Sequence, residues 1–229
     1  MSIYATSSLI HGGFGFLALL AFWVAAFARK GSAPHRFAGK VFLLAMSGVL
    51  LFALPLGLII TRIGNVFGPF LLFLILTVAT TCWVAWRAIR DRRDFARFAG
   101  PIYRALAYAN LLAGVAMLGW GIMQSSIVFA AFSLIGIFNG LGMLRTARRP
   151  PTDPLWWQAQ HRNAMLGNGA ATHIAFFVIG LPRLLPDYAG PTQQTLAWLA
   201  PLVVALGVRF WMARRPQRAR AVAAALPSG

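Results

Sequence analysis

Seven apolar stretches recur along the 229-residue chain, each long enough, or nearly so, to cross a hydrocarbon core as a helix. They lie near 8–28, 41–61, 69–88, 105–123, 126–144, 163–181 and 195–212, and a crossing needs about 20 helical residues. Inside lipid a backbone must satisfy its own polar groups, so runs of this kind are helical. The sequence therefore predicts an all-α fold: a polytopic membrane protein built as one domain over 1–229, a seven-transmembrane-helix bundle. Composition supports lipid as the main solvent. Only 11% of residues are charged and 59% are hydrophobic, against about 25% and 45–50% in soluble domains.

Charge gives an independent count of the crossings. The first connection holds Arg29, Lys30, Arg36 and Lys40, and the second only Arg62. The third holds Arg87, Arg90, Arg92, Arg93, Arg97 and Arg104; the fourth, Gln124-Ser125-Ser126, holds none and reads as a tight helical hairpin. The fifth holds Arg145, Arg148, Arg149 and Arg162, the sixth only Arg183, and the tail adds Arg214, Arg215, Arg218 and Arg220 after Arg209. Basic loops face the cytoplasm, so this alternation fits seven spans with the N-terminus outside and the C-terminus inside. Six or eight spans would break it. The first run has its basic residues behind it rather than ahead, unlike a signal peptide, and is expected to remain as a span.

The chain carries 21 Lys+Arg against 4 Asp+Glu, a formal charge of +17. Because the cations sit at span ends, anionic headgroups at the cytoplasmic face are the expected partners and nucleic acid is not. The acidic residues are Asp91, Asp94, Asp153 and Asp187, all in loops.

Several local features bear on packing. In the third connection, Arg87–Asp91 and Arg90–Asp94 stand at helical i,i+4 spacing, which suggests that the third helix continues into the interface with Phe95 and Phe98 against acyl chains; a solvated stop-transfer loop is the equal alternative. Pro55 and Pro201 should loosen their helices. Gly136-x-x-x-Gly140, with Gly142 beyond, offers a smooth strip for close helix contact. Trp156 and Trp157 resemble interfacial anchors, and the single cysteine, Cys82, reads as a packing residue.

Chemistry is constrained by what the spans lack. No carboxylate, lysine or arginine lies at mid-membrane, where proton-coupled transporters usually keep one, and no lysine is placed to form a retinal Schiff base. Four histidines remain. Counting along the helices pairs His11 with His173 toward the outside, and His35 with His161 at the cytoplasmic mouth. Such pairs can hold b-type haem or a metal, with His11 and His173 the metal-ligand candidates, or they can hydrogen-bond between helices. Pro34-His35-Arg36 and Gln160-His161-Arg162 also place cations at helix starts, where they disfavour the macrodipole unless an anion is bound. Arg36, Lys40 and Arg162 are thus candidates for a lipid phosphate, a haem propionate or a phosphorylated substrate. Asn110, Asn139, Asn163 and Asn168 could bond between helices or line a cavity, and the glycines around Asn168 would let another group approach.

The strings His35-Arg-x-x-Gly39-Lys40, following a first span that begins His11-Gly-Gly, and Trp157-x-x-x-His161-x-x-x-Met165, leading into Ala-Thr-His-Ile-Ala-Phe-Phe, resemble a family of uncharacterised bacterial multi-span membrane proteins. The resemblance covers most of the chain in layout and implies a bacterial inner-membrane helical bundle in which His11, His35 and His161 belong to the shared pattern. It implies no activity, and His173 stands where similar sequences carry Thr or another small residue. The functions that follow are a membrane protein binding a cofactor or ligand through paired histidines, in a b-type haem or quinone redox role; a non-enzymatic lipid-binding or scaffolding protein; or a small-solute carrier.

Overall fold

The computed structural model describes residues 3–185 and 190–225, with side chains described to Met212 and at Arg214. Asp187 and the side chains of Arg215, Arg218 and Arg220 lie outside that set. Among the described residues seven helices are long and apolar enough to cross a membrane: α1 (Ile3–Phe27), α2 (Ala33–Arg62), α3 (Phe67–Arg90), α4 (Pro101–Met123), α5 (Ile127–Arg148), α6 (Trp156–Ala175, continued to Leu184) and α7 (Pro191–Ala225). Among the described residues there is no strand. The protein is an integral membrane protein and an all-α seven-helix bundle.

The helices outrun the apolar stretches because capping, not hydropathy, sets their ends. Ser32 accepts the His35 amide at 3.4 Å and Pro34 stands in the first turn, so α2 begins before the apolar run does and takes His35 and Arg36 into the helix. Ser126 likewise accepts the Phe129 amide and opens α5. The hairpin before it turns on Ser125, whose φ of 50° is left-handed. Both α2 and α7 run on through Pro55 and Pro201.

Packing divides the bundle. In one half α1 lies along α2, α2 along α3, α3 against α6 and α6 against α1, closing a ring of four. In the other half α4 and α5 form a close pair, with α4 against α3, while α7 rests on α6 and α5. The α4–α5 contact is backbone on backbone. A Cβ at Gly140 would stand 2.6 Å from the Ala107 carbonyl oxygen and 2.7 Å from the Leu111 nitrogen; at Gly114 it would stand 2.7 Å from the Ile137 nitrogen, and at Gly121 2.8 Å from the Ala130 nitrogen. Gly142 has open space instead. The glycine strip is therefore a packing seam for its first two members only. Thr80 and Asn110 fasten this pair to α3: the buried Asn110 amide donates to Thr80 Oγ1 at 2.7 Å and to the Leu106 carbonyl at 2.8 Å.

The third connection departs from the expected continuous interfacial helix. α3 stops at Arg90, a turn follows, and Asp94 caps a single helical turn, Phe95–Phe98, by accepting the Arg97 amide at 2.9 Å. Asp94 serves that cap rather than pairing with Arg90, whose guanidinium lies over Trp86 at 5.0 Å. Phe98 is fully buried, against Tyr103 and Trp156, and Phe95 meets Trp156 edge-on at 5.1 Å. These rings fill protein rather than lipid, and Trp156 is drawn inward with them. Asp91 anchors the turn. Its carboxylate is 1% exposed, bonds to Arg87 Nε and faces Arg97 Nε at 3.6 Å.

Candidate functional site

All four histidines fall in the ring of α1, α2, α3 and α6. Each directs Nδ1 at a backbone carbonyl: His11 at Val49 (3.0 Å), His35 at Ala25 (2.9 Å), His161 at Ala85 (3.0 Å) and His173 at Gly169 of its own helix (2.7 Å). A carbonyl can only accept, so Nδ1 carries the proton in every case. In the neutral imidazole this leaves Nε2 as the lone-pair nitrogen. Three of the four bonds cross between helices and staple the ring together.

The two histidines of the expected inner pair both lie near the starts of their helices. His35, in the first turn of α2, and His161, in the second turn of α6, lie within electrostatic range of one another. The buried residues one helical turn from either imidazole, or from its carbonyl partner, are Ala21, Ala38, Ala88 and Ala164, all small. Gly39, one turn beyond His35, has nothing within 4 Å of the place a Cβ would take.

The expected outer pair is not brought together. His173 packs edge-on against Phe22 and Trp23, with ring centroids 5.5 and 5.3 Å away. His11 lies 11–12 residues earlier on α1, about 17 Å along the helix. Two imidazoles on one haem iron, each about 2 Å from the metal, cannot span that. His11 instead lies within electrostatic range of Arg183, which reaches Ser8 at 3.4 Å. His173 thus sits level with the last turns of α1 rather than in the outer half. Residue spacing within α6 fixes distance along α6, but helix tilt and register decide what it meets on α1.

The cations differ in their engagement. Arg36 donates to the Gly31 carbonyl at 2.6 Å, and Lys30 caps the end of α1 through the Ala26 and Ala25 carbonyls at 2.6 and 3.1 Å. Burial lowers the Lys30 pKa from its ordinary value. Lys40 is exposed. Arg162 is half-buried, and its Nε is buried with no hydrogen-bond partner.

Deeper in the ring, Asn168 is fully buried and accepts from Thr81 Oγ1 at 2.6 Å, with Cys82 Sγ at 3.5 Å. Its Nδ2 has no partner, and turning the amide over would only transfer the vacancy to the oxygen. Gly169 receives the Phe22 ring where a Cβ would otherwise stand, so the group that the flanking glycine admits is an aromatic side chain. One turn on, Thr172 faces Met46 Sδ at 3.7 Å. Directly after His173 and its neighbours, Phe176–Gly180 forms a π turn, a feature with no signature in the apolar sequence that encodes it.

Among the described residues no three His, Cys, Asp or Glu side chains converge as a metal-binding group. The class these features define is an integral membrane seven-helix bundle whose histidines are confined to one four-helix half. No protein-family model, curated protein or solved structure matches the chain.

Proposed function

We propose that the protein holds a b-type haem between α2 and α6, ligated through Nε2 of His35 and His161, and serves as a membrane redox-cofactor protein. The observation that carries this reading is the pair of Nδ1–H···O=C bonds to Ala25 and Ala85. A metal-binding histidine almost always donates its other ring proton in this way, which fixes the ring and raises the basicity of the ligating nitrogen. Two imidazoles suffice for a haem iron, whereas a zinc site would want two more donors. The alanines around the pair and the open side of Gly39 suit a flat ring. Arg36 and Arg162, next in sequence to the two histidines, suit its propionates.

The test is an absorbance spectrum of protein purified from haem-replete cells. The wild type is expected to show a Soret band that His35→Ala and His161→Ala each abolish with helicity intact, and that His11→Ala leaves in place. A wild type that is colourless and takes up no added haemin would end the reading.

One observation favours a second reading, an anionic-lipid site at the same mouth: the unpartnered, buried Nε of Arg162. A lipid phosphate would satisfy it, with Lys40 and Arg36 at the rim. By native mass spectrometry, Arg162→Gln is expected to reduce retained phosphatidylglycerol severalfold, and Arg36→Gln less. Equal retention in both variants would leave these cations as topology signals.

A further inference from the structure

His173 takes no part in the His35/His161 site, and its surroundings differ in kind. Its Nδ1 proton is spent on Gly169, so Nε2 is a bare acceptor, buried and without a partner. Such a vacancy is costly in a protein interior, and a structural histidine would not normally leave it standing. Three rings enclose it: Phe22 and Trp23 from α1 and Phe177 at 6.3 Å from the π turn.

The enclosure is lopsided. Phe22 is partly buried, whereas Trp23 is 44% and Phe177 37% exposed. In a membrane protein those outer rings face acyl chains, so the imidazole is separated from lipid by two side chains that can turn outward. Phe177 stands in the π turn, and π turns recur at functional sites because they break the regular helical ladder.

We propose that His173 is the anchor of a laterally opening site between α1 and α6 for a lipid-soluble quinol. The ligand class follows from three requirements. It must arrive through lipid, so it is apolar apart from its head. It must donate a proton to the open Nε2 of His173, which selects a hydroxyl. It must stack among aromatic faces and edges, which selects a planar ring. A dihydroxy-aromatic headgroup on an apolar tail meets all three, and its oxidised quinone form, with carbonyls only, meets two.

Binding of a short-chain benzoquinol and of the matching benzoquinone to protein in lipid nanodiscs tests this. The quinol is expected to bind saturably to the wild type at least tenfold more tightly than the quinone. His173→Phe, which keeps the box filled but removes the acceptor, is expected to weaken quinol binding at least tenfold and to abolish the preference. His11→Phe should change neither. The proposal is overturned if the wild type shows no saturable quinol binding, if quinone and quinol bind alike, or if His173→Phe binds quinol as the wild type does. Haem content is irrelevant to all three readings, so failure here and failure of the His35/His161 assignment are separable.

Discussion

Gly140→Leu is expected to cost the protein on the order of 3 kcal/mol, the upper part of the usual range for overpacking, while Gly142→Leu two residues away should cost under about 0.5 kcal/mol, as a surface change does. The difference lies in what the new side chain meets. At Gly140 a Cβ would press within 2.6 Å of the Ala107 carbonyl oxygen and 2.7 Å of the Leu111 nitrogen, both of them α4 backbone that no rotamer change can move. α4 and α5 would have to separate, and Gly136 on α5, whose Cβ position is 3.0 Å from the Asn110 carbonyl oxygen, would lose its contact with α4. Gly142 points at open space. Unfolding by sodium dodecyl sulfate, titrated into mild-detergent micelles, measures both variants on one scale. Equal midpoints would show that α4 and α5 are not in backbone contact.

Asp91→Ala is the second variant with a large expected effect, about 3 kcal/mol, because it removes the counter-charge from a buried pair. The side chains of Asp91 and Arg87 are 1% and 16% exposed, so little water is available to replace the lost partner. Arg97 is 61% exposed, and Arg97→Gln should cost under about 1 kcal/mol, as exposed ion pairs do. The consequence is also local. The turn of Phe95–Phe98 is held by Arg87, which Asp91 orients and whose Nη2 donates to the Arg97 carbonyl at 3.1 Å, and by ring contacts with Trp156 and Tyr103. With Asp91 gone, limited trypsin treatment should nick the chain at Arg92 or Arg93 faster than in the wild type, while Arg97→Gln should leave the rate nearly unchanged. Equal nicking in Asp91→Ala and the wild type would mean that the rings alone hold the turn.

The two variants lie on opposite sides of what a sequence reading can reach. The glycine spacing at 136 and 140 announced close packing, since a stripe of small residues on an apolar helix has few other uses. Which helix it would meet, and that Gly142 would miss it, depended on the rotation of α5 about its axis. Asp91 showed its partner Arg87 through i,i+4 spacing. Its burial did not show, because a charged residue in a basic connection looks solvated until the fold is known.

The candidate site divides the same way. That histidines are the candidates for chemistry follows from elimination, since the spans contain no other ionisable group of use at mid-membrane. Pairing His35 with His161 also came from the sequence: both stand at the starts of helices that must run in the same direction, and such positions end at the same face. Pairing His11 with His173 failed for a physical reason, which is that counting residues along α6 gives depth only for an untilted helix in a known register. The tautomers, the unpartnered nitrogen of His173 and the π turn beside it were wholly beyond sequence reasoning.

What the sequence alone determined is the solvent, the number of crossings and the all-helical answer to them, because lipid forbids unpaired backbone and long apolar runs leave no other choice. The tertiary structure alone decided which helices are neighbours. Lipid tails are as apolar as the helix surfaces, so hydrophobicity does not sort one contact from another. That choice is made by glycine vacancies, a few buried hydrogen bonds and the fit of rings, none of which has a period that can be read along the chain.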